Sequence, residues 1–156
     1  MYRKKFMEEA IKLANECFET GNGGPFGAVI VKDGEIVGRG RNTVTADNDP
    51  TAHAEVNAIR DACKNLGTFQ LSGCEVYASS EPCPMCFGAI YWARPERIFY
   101  GASCEAAAEA GFQDTFIYDE LGKPIEEYSI KTEQRDGELA SKTFQKWKNF
   151  DKRIDY

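Results

Sequence analysis

The fold of the chain is decided by residues 74–101, which read CEVYASSEPCPMCFGAIYWARPERIFYG. Both ends of this stretch are short and apolar, as strands are. Between them, Pro82 and Pro84 stand where the start of a helix tolerates proline, and Pro95 ends that helix. A strand, a helix and a second strand in this order are typical of a parallel crossover. We therefore expect parallel strands in one sheet.

The residues before this stretch predict an antiparallel hairpin and two longer helices. Residues 26–31 and 36–41 are apolar or alternating, and Asp33-Gly34 between them is a tight-turn signal. Apolar residues recur every three or four positions over about 3–19, and again from Thr51 to Gly67. A hairpin joined to parallel crossovers predicts an α/β fold with a mixed sheet and helices on both faces.

The periodicity is weaker after about residue 104. It predicts short helices at 106–110 and 116–121, a strand at 129–134 and a terminal helix at 139–150. A length of 156 residues falls within the range of one domain, so we expect a single domain over residues 1–156.

Composition limits the classes of partner. The formal net charge of -6 disfavours a polynucleotide substrate, because proteins that follow a phosphate backbone present a basic face. No run approaches the ~18 apolar residues of a membrane span, and the first residues do not form a signal-peptide core. Six cysteines without an export signal indicate thiols or metal ligands in a cytoplasmic protein.

One constellation carries chemistry. His53-Ala54-Glu55 and Cys83-Pro84-Met85-Cys86 supply three ligands that suit Zn²⁺ and leave a fourth position for water, which is the catalytic arrangement. An H-x-E element followed by P-C-x-x-C is the signature of zinc deaminases. We therefore predict one Zn²⁺ per chain, held by His53, Cys83 and Cys86, with Glu55 as the proton carrier.

Spacing supports part of this site and leaves part of it open. Two cysteines three apart at a helix start can face one ion, and the positive end of the helix dipole favours thiolate. Residues two apart in a regular helix differ by about 200°, so spacing alone does not bring Glu55 beside His53. Cys74 and Cys104 stay open, because either one as a fourth ligand would turn the site into a closed, structural one.

Nearly the whole chain resembles the cytidine-deaminase-like superfamily and, within it, the bacterial guanine deaminases. The resemblance rests on five blocks: Gly24-Pro25-Phe26-Gly27-Ala28-Val29-Ile30-Val31-Lys32-Asp33-Gly34, Asn48-Asp49-Pro50-Thr51-Ala52-His53-Ala54-Glu55, Glu81-Pro82-Cys83-Pro84-Met85-Cys86, Gly88-Ala89-Ile90-Tyr91-Trp92-Ala93-Arg94-Pro95 and Ala108-Glu109-Ala110-Gly111-Phe112. It implies a three-layer α/β/α sandwich around a five-stranded mixed sheet. The implied reaction is hydrolysis of guanine to xanthine and ammonia.

The same resemblance implies a set of substrate contacts. Phe26 and Trp92 shape the purine pocket or stack on the base, while Asn42 and Asp114 hydrogen-bond it. The backbone N–H of Ala54 is a further contact. The alternative is that the two aromatics are core residues and that the two polar residues belong to turns or caps.

The resemblance also implies a homodimer in which the segment of about 137–156 crosses to the partner, where Tyr156 helps to close the active site. Phe144, Trp147 and Phe150 recur along one edge of the predicted terminal helix, and such an edge needs a surface to pack on. The alternative is a helix packed on its own core with a frayed end.

Three other functions share the metal core. A tRNA adenosine deaminase carries the same two elements, although net acidity argues against it. Deamination of cytosine, a pterin or an aminotriazine is also compatible, because the metal does not choose the heterocycle. A non-catalytic, zinc-stabilised binding module is the third, and Glu55 beside the ligands argues against it.

Overall fold

The computed structural model describes all 156 residues and divides into two compact units, Met1–Asp114 and Thr115–Tyr156. None of the helices combines the length and the apolar character that crossing a membrane requires. The elements of the first unit are α1 (Lys4–Glu19), β1 (Gly27–Lys32), β2 (Glu35–Arg41), α2 (Val44–Asp47), α3 (Ala54–Leu66), β3 (Cys74–Ser80), α4 (Pro84–Ala93), β4 (Arg97–Ala102) and α5 (Cys104–Glu109).

The sheet is mixed, as predicted, and has the strand order β2-β1-β3-β4. Strand β1 is antiparallel to β2 and to β3, whereas β3 and β4 are parallel and joined through α4. The hairpin turns at Asp33 and Gly34, whose φ angles are 50° and 86°. Positive φ at both central residues defines the turn that matches strand twist, so the Asp-Gly prediction is confirmed.

Helices cover both faces of the sheet. Ala28 and Ile30 of β1 and Val76 of β3 pack with α3 and α4 in one buried cluster. Val29 and Val31 of β1 and Tyr77 of β3 pack with α1 in another. Successive side chains of a strand point to opposite faces, so one short apolar run serves two cores. The three-layer α/β/α sandwich is therefore confirmed.

Helix α3 approaches strand β2 closely because the strand presents glycines to it. A Cβ on Gly40 would lie 2.0 Å from the carbonyl oxygen of Ala54, and one on Gly38 would lie 2.5 Å from that of Ala58. The facing helix residues, including Ala54, Ala58 and Ala62, are also small and buried. The start of α3 is thereby held against the end of the hairpin.

The second unit contains α6 (Thr115–Leu121), a 3-10 turn (Ile125–Glu127) and α7 (Gly137–Lys148). Both helices were predicted. The strand predicted at 129–134 is wrong, because those residues form no regular element. The sheet has four strands and not the five that the resemblance implied.

The wrong strand has a local physical reason. Residues 129–134 contain one large apolar side chain, Ile130, and it is 82% exposed. A strand with no apolar face to bury lacks the packing that stabilises sheets. Local bonds take over instead: Ser129 donates its N–H and its hydroxyl to Glu120, and the hydroxyl of Thr132 donates to the carbonyl of Ile130.

Candidate metal and active site

The start of α3 and the start of α4 meet at one point. His53 is the N-cap of α3 and Cys83 is the N-cap of α4, and both have extended backbone conformations. Pro84 at the first position of α4 has no N–H to leave unpaired there. Cys86 lies three residues after Cys83, and an N-cap side chain and the third helical residue are neighbours.

The three predicted ligands converge. The Sγ atoms of Cys83 and Cys86 each lie 3.5 Å from Nδ1 of His53. The ligand atoms of these three residues all lie within 4.8 Å of one another. Tetrahedral Zn²⁺ with N and S ligands places such atoms about 3.5 Å apart at the edges, so the set fits zinc. The sequence did not indicate which ring nitrogen of His53 faces the two cysteine sulfurs; the structure places Nδ1 there.

Glu55 is brought to the same point. Its side chain is buried, and its Oε2 lies 3.4 Å from the Sγ of Cys86. The difficulty raised by helical spacing disappears because His53 precedes the helix and Glu55 lies within its first turn. The extended backbone of His53 turns its ring toward the same side as Glu55.

The neighbours of these groups shift their pKa values. A hydrogen bond from Cys86 lowers the pKa of Cys83, which favours the thiolate of Cys83. The same hydrogen bond raises the pKa of Cys86, with burial adding to the effect. The hydrogen bond with Cys83 raises the pKa of His53, and burial raises the pKa of Glu55. The lowered pKa of Cys83 suits a ligand, because a thiolate is the form of cysteine that metals bind.

The site holds three protein ligands and not four. Cys74, buried at the start of β3, and Cys104, at the start of α5, are both outside the cluster of possible ligands. The amide N–H of Cys104 donates to the carboxylate of Glu81 instead. Three ligands leave a fourth position open, which is typical of catalytic zinc sites.

Asn42 and Asp114, which are predicted to hydrogen-bond the base, both have neighbours that connect them with His53. Asn42 follows β2, where Asn57 of α3 donates from its side chain to the carbonyls of Arg41 and Ala52 and to the hydroxyl of Thr43. Asn42 therefore lies beside the residues that precede His53. Asp114 is close enough to His53 for its charge to raise the pKa of that ring.

Phe26 and Ala54 also lie near the start of α3. Ala54 is the first residue of α3, and the first amides of a helix have no partner within it. Phe26 packs against the buried cluster that contains Ala54 and Ile90. Its ring meets that of Phe112 edge to face, with centroids 4.9 Å apart. Phe112 lies in the fifth block of the resemblance, and its contact with Phe26 depends on long-range folding that the sequence pattern does not show.

The structure does not bury the two remaining predicted contacts. Trp92 lies near the end of α4 and is 65% exposed. Tyr156 belongs to the second unit and is 70% exposed. The roles of these two residues stay predictions.

Comparison with known proteins identifies relatives of this arrangement. Residues 1–102 match the model of the cytidine and deoxycytidylate deaminase zinc-binding region. A guanine deaminase of Bacillus subtilis is 55% identical over 156 residues, which is 100% of both chains. A tRNA-specific adenosine deaminase of Aquifex aeolicus is 36% identical over 153 residues, 96% of this chain and 98% of that protein.

Solved structures give the same picture. The X-ray structure of guanine deaminase from Bacillus subtilis matches 100% of this chain and 99% of that one, with a TM-score of 0.97 and 55% identity. The structure of guanine deaminase from Nitrosomonas europaea matches 72% of this chain and 65% of that one, with a TM-score of 0.69 and 29% identity.

Proposed function

The chain belongs to the zinc-binding cytidine and deoxycytidylate deaminase family, and we propose from this that it hydrolyses guanine to xanthine and ammonia. The observation that carries the proposal is the buried carboxylate of Glu55 beside the trio of His53, Cys83 and Cys86. Identity of 55% to a guanine deaminase over the whole chain selects guanine among the substrates that share this core.

Zinc is the cofactor, held by His53, Cys83 and Cys86. When bound, Zn²⁺ lowers the pKa of a coordinated water, so that a nucleophile is available near neutral pH. The site fits this chemistry because three protein ligands leave one position open and because no fourth candidate ligand lies in the cluster.

Glu55 moves the protons. Water adds to C2 of guanine, and Glu55 takes one of its protons and delivers it to the adjacent ring nitrogen. Glu55 then carries the second proton to the amino group, which leaves as ammonia while the C2 carbonyl forms. Protonation is needed because an amide ion is far too basic to depart. The position of Glu55 against Cys86 keeps its Oε2 at the edge of the ligand cluster, where the base must sit.

Four residues around the start of α3 are proposed to hold the base. Asp114 accepts from the N–H groups of guanine, and the ring of Phe26, supported by Phe112, packs on the purine. Asn42 donates to an acceptor of guanine, and the amide of Ala54, the first of α3, is a further donor. A few polar groups in a mainly apolar site are what orients a small ligand. Trp92 is proposed to complete the stacking surface from α4.

We further propose that the protein is a homodimer in which the segment 137–156 crosses to the partner and Tyr156 closes the partner's site. The support lies in the second unit, where no residue is buried although Phe144, Leu139 and Ile154 are large and apolar. Helices of this kind are stable only when their apolar edges are covered. In a symmetric dimer, a second copy of the chain presents the same apolar residues, and the two sets can cover each other.

The six free thiols support the proposal of a cytoplasmic location.

The test is release of ammonia by the purified protein, with metal analysis of the same sample. Guanine, adenine, cytosine, a pterin, an aminotriazine and an adenosine-containing tRNA are offered in parallel, and the Glu55→Gln protein serves as the matched control. We expect guanine to be the best substrate and zinc to be present at about one ion per chain. Faster turnover of tRNA, as the Aquifex aeolicus relative suggests, would overturn the choice of substrate. Zinc without activity on any of them would favour the binding module.

A further inference from the structure

The main-chain carbonyl of Asn42 accepts a hydrogen bond from a buried thiol. The Sγ of Cys17, near the end of α1, lies 2.9 Å from the carbonyl oxygen of Asn42. Cys17 is fully buried and Asn42 is nearly so. A carbonyl can only accept, so the thiol is the donor. Burial raises the pKa of Cys17, which keeps the S–H proton in place.

A second residue limits the space around Asn42. A Cβ on Gly23 would lie 2.2 Å from the carbonyl oxygen of Asn42 and 2.7 Å from its Oδ1. Real Cβ atoms do not approach so closely, so any side chain at position 23 would displace Asn42. Gly23 has no positive φ, and the requirement is therefore for space and not for conformation.

The side-chain amide of Asn42 has one end occupied. The N–H of Val44 donates to Oδ1 at 3.2 Å, which fixes the orientation of the amide plane. No buried side-chain nitrogen or oxygen of the chain lacks a partner, and Nδ2 of Asn42 has none in the protein, so Nδ2 reaches an accessible surface. Asn42 therefore presents donors and not an acceptor.

We propose that Cys17 and Gly23 are positioning residues that hold Asn42 so that its Nδ2 protons face an acceptor atom of guanine. This inference rests on the proposed function, because it names guanine as the ligand of Asn42. Neither residue touches the base. Cys17 acts by fixing the main chain of Asn42, and Gly23 acts by leaving room for that main chain.

Removal of the thiol donor has a specific expected effect. Cys17→Ala loosens Asn42, and the loss of one hydrogen bond to the base raises KM for guanine about five-fold. The contact is made in both the ground state and the transition state, so kcat changes little. Cys17→Ser restores a donor of similar reach, and KM returns toward the wild-type value. Gly23→Ala raises KM at least as much, because it pushes on Asn42 directly.

Two controls separate positioning from general damage. Cys63→Ala removes a half-buried thiol whose pKa is raised by burial alone, with no hydrogen bond contributing, and we expect it to leave KM unchanged. In an Asn42→Ala background, Cys17→Ala should add no further rise in KM, because the group on which it acts is gone. An equal rise in that background would overturn the proposal, as would a wild-type KM in Cys17→Ala.

A second measurement does not depend on turnover. In zinc-loaded protein, the side-chain amide NMR signal of Asn42, identified by its loss in Asn42→Ala, should be sharp in the wild type and in Cys17→Ser. It should shift or broaden in Cys17→Ala and Gly23→Ala. An unchanged signal in Cys17→Ala would overturn the positioning role. If the wild type does not deaminate guanine at all, the proposed function fails, and this signal alone decides whether Cys17 positions Asn42.

Discussion

Oε2 of Glu55 lies 3.4 Å from Sγ of Cys86, although 31 residues separate them. The contact places a buried carboxyl group against one member of the ligand trio without making it a member. Glu55→Gln should therefore keep zinc and fold but lose about 10²–10⁴-fold in kcat, because the amide preserves shape and cannot carry protons. Metal analysis, circular dichroism and steady-state kinetics on one preparation check this. A Glu55→Gln enzyme with wild-type kcat would remove the proton-carrying role.

Cys83→Ser should lose metal and activity together. Cys83 is one of the three ligands, and its lowered pKa favours the thiolate that zinc binds. A serine hydroxyl at neutral pH is a far weaker ligand. The measurement is zinc content by mass spectrometry beside the rate of ammonia release.

Cys104→Ser is the matched control for that variant. Cys104 lies outside the ligand cluster, and its amide N–H donates to Glu81. We expect about one zinc per chain and wild-type activity. Full zinc occupancy in Cys83→Ser, or its loss in Cys104→Ser, would contradict the ligand assignment.

The fold could be predicted as far as local patterns reached. Asp33-Gly34 predicted its own turn, and the apolar runs that form β1 and β3 predicted strands in a sheet with helices on both faces. The strand expected at 129–134 failed because a strand also needs a neighbour and an apolar face, and Ile130 alone does not provide one. Local propensity carries no information on such partners.

The sequence likewise predicts some features of the site and not others. His53, Cys83, Cys86 and Glu55 could be predicted because their residue types and spacing match a known chemical pattern. Their convergence could not be derived from helical spacing, since His53 lies outside α3 as its N-cap. The hydrogen bond from the Cys17 thiol to the Asn42 carbonyl joins residues that lie 25 positions apart in the chain, and no motif around either residue predicts it.

Gly40→Ala should destabilise the protein. Its Cβ would lie 2.0 Å from the carbonyl oxygen of Ala54 and 2.4 Å from the nitrogen of Ala58, so α3 would have to move from the sheet. Overpacking of this kind costs about 1–3 kcal/mol. Gly88→Ala is the control, because a Cβ there would meet nothing within 4 Å, and alanine favours a helix over glycine by up to about 1 kcal/mol. Urea denaturation of the zinc-loaded proteins measures both, and equal midpoints for Gly40→Ala and the wild type would contradict the close approach of α3.

The last prediction concerns the apolar edge of α7. Phe144 is 75% exposed, and Trp147 and Phe150, whose ring centroids lie 5.9 Å apart, are about half exposed. Exposed aromatics on one edge of a helix need cover, and a second copy provides it if the segment 137–156 is exchanged. Light scattering should then give about twice the 17.4 kDa mass of the chain. Deletion of residues 154–156 should leave the dimer, the zinc content and the fold intact, because the edge of α7 remains.

Guanine turnover in the truncated enzyme should nevertheless fall about ten-fold or more, which is the effect of losing one or two hydrogen bonds to a desolvated base. Tyr156→Phe separates the contributions, since it keeps the ring and removes the hydroxyl. If the hydroxyl accepts from a guanine N–H, Tyr156→Phe should lose part of the rate and the deletion should lose more. A fully active truncated enzyme would contradict the role of Tyr156 in the site. A fully active monomer would contradict the exchange of segments, because Tyr156 can close the site of a partner only in a dimer.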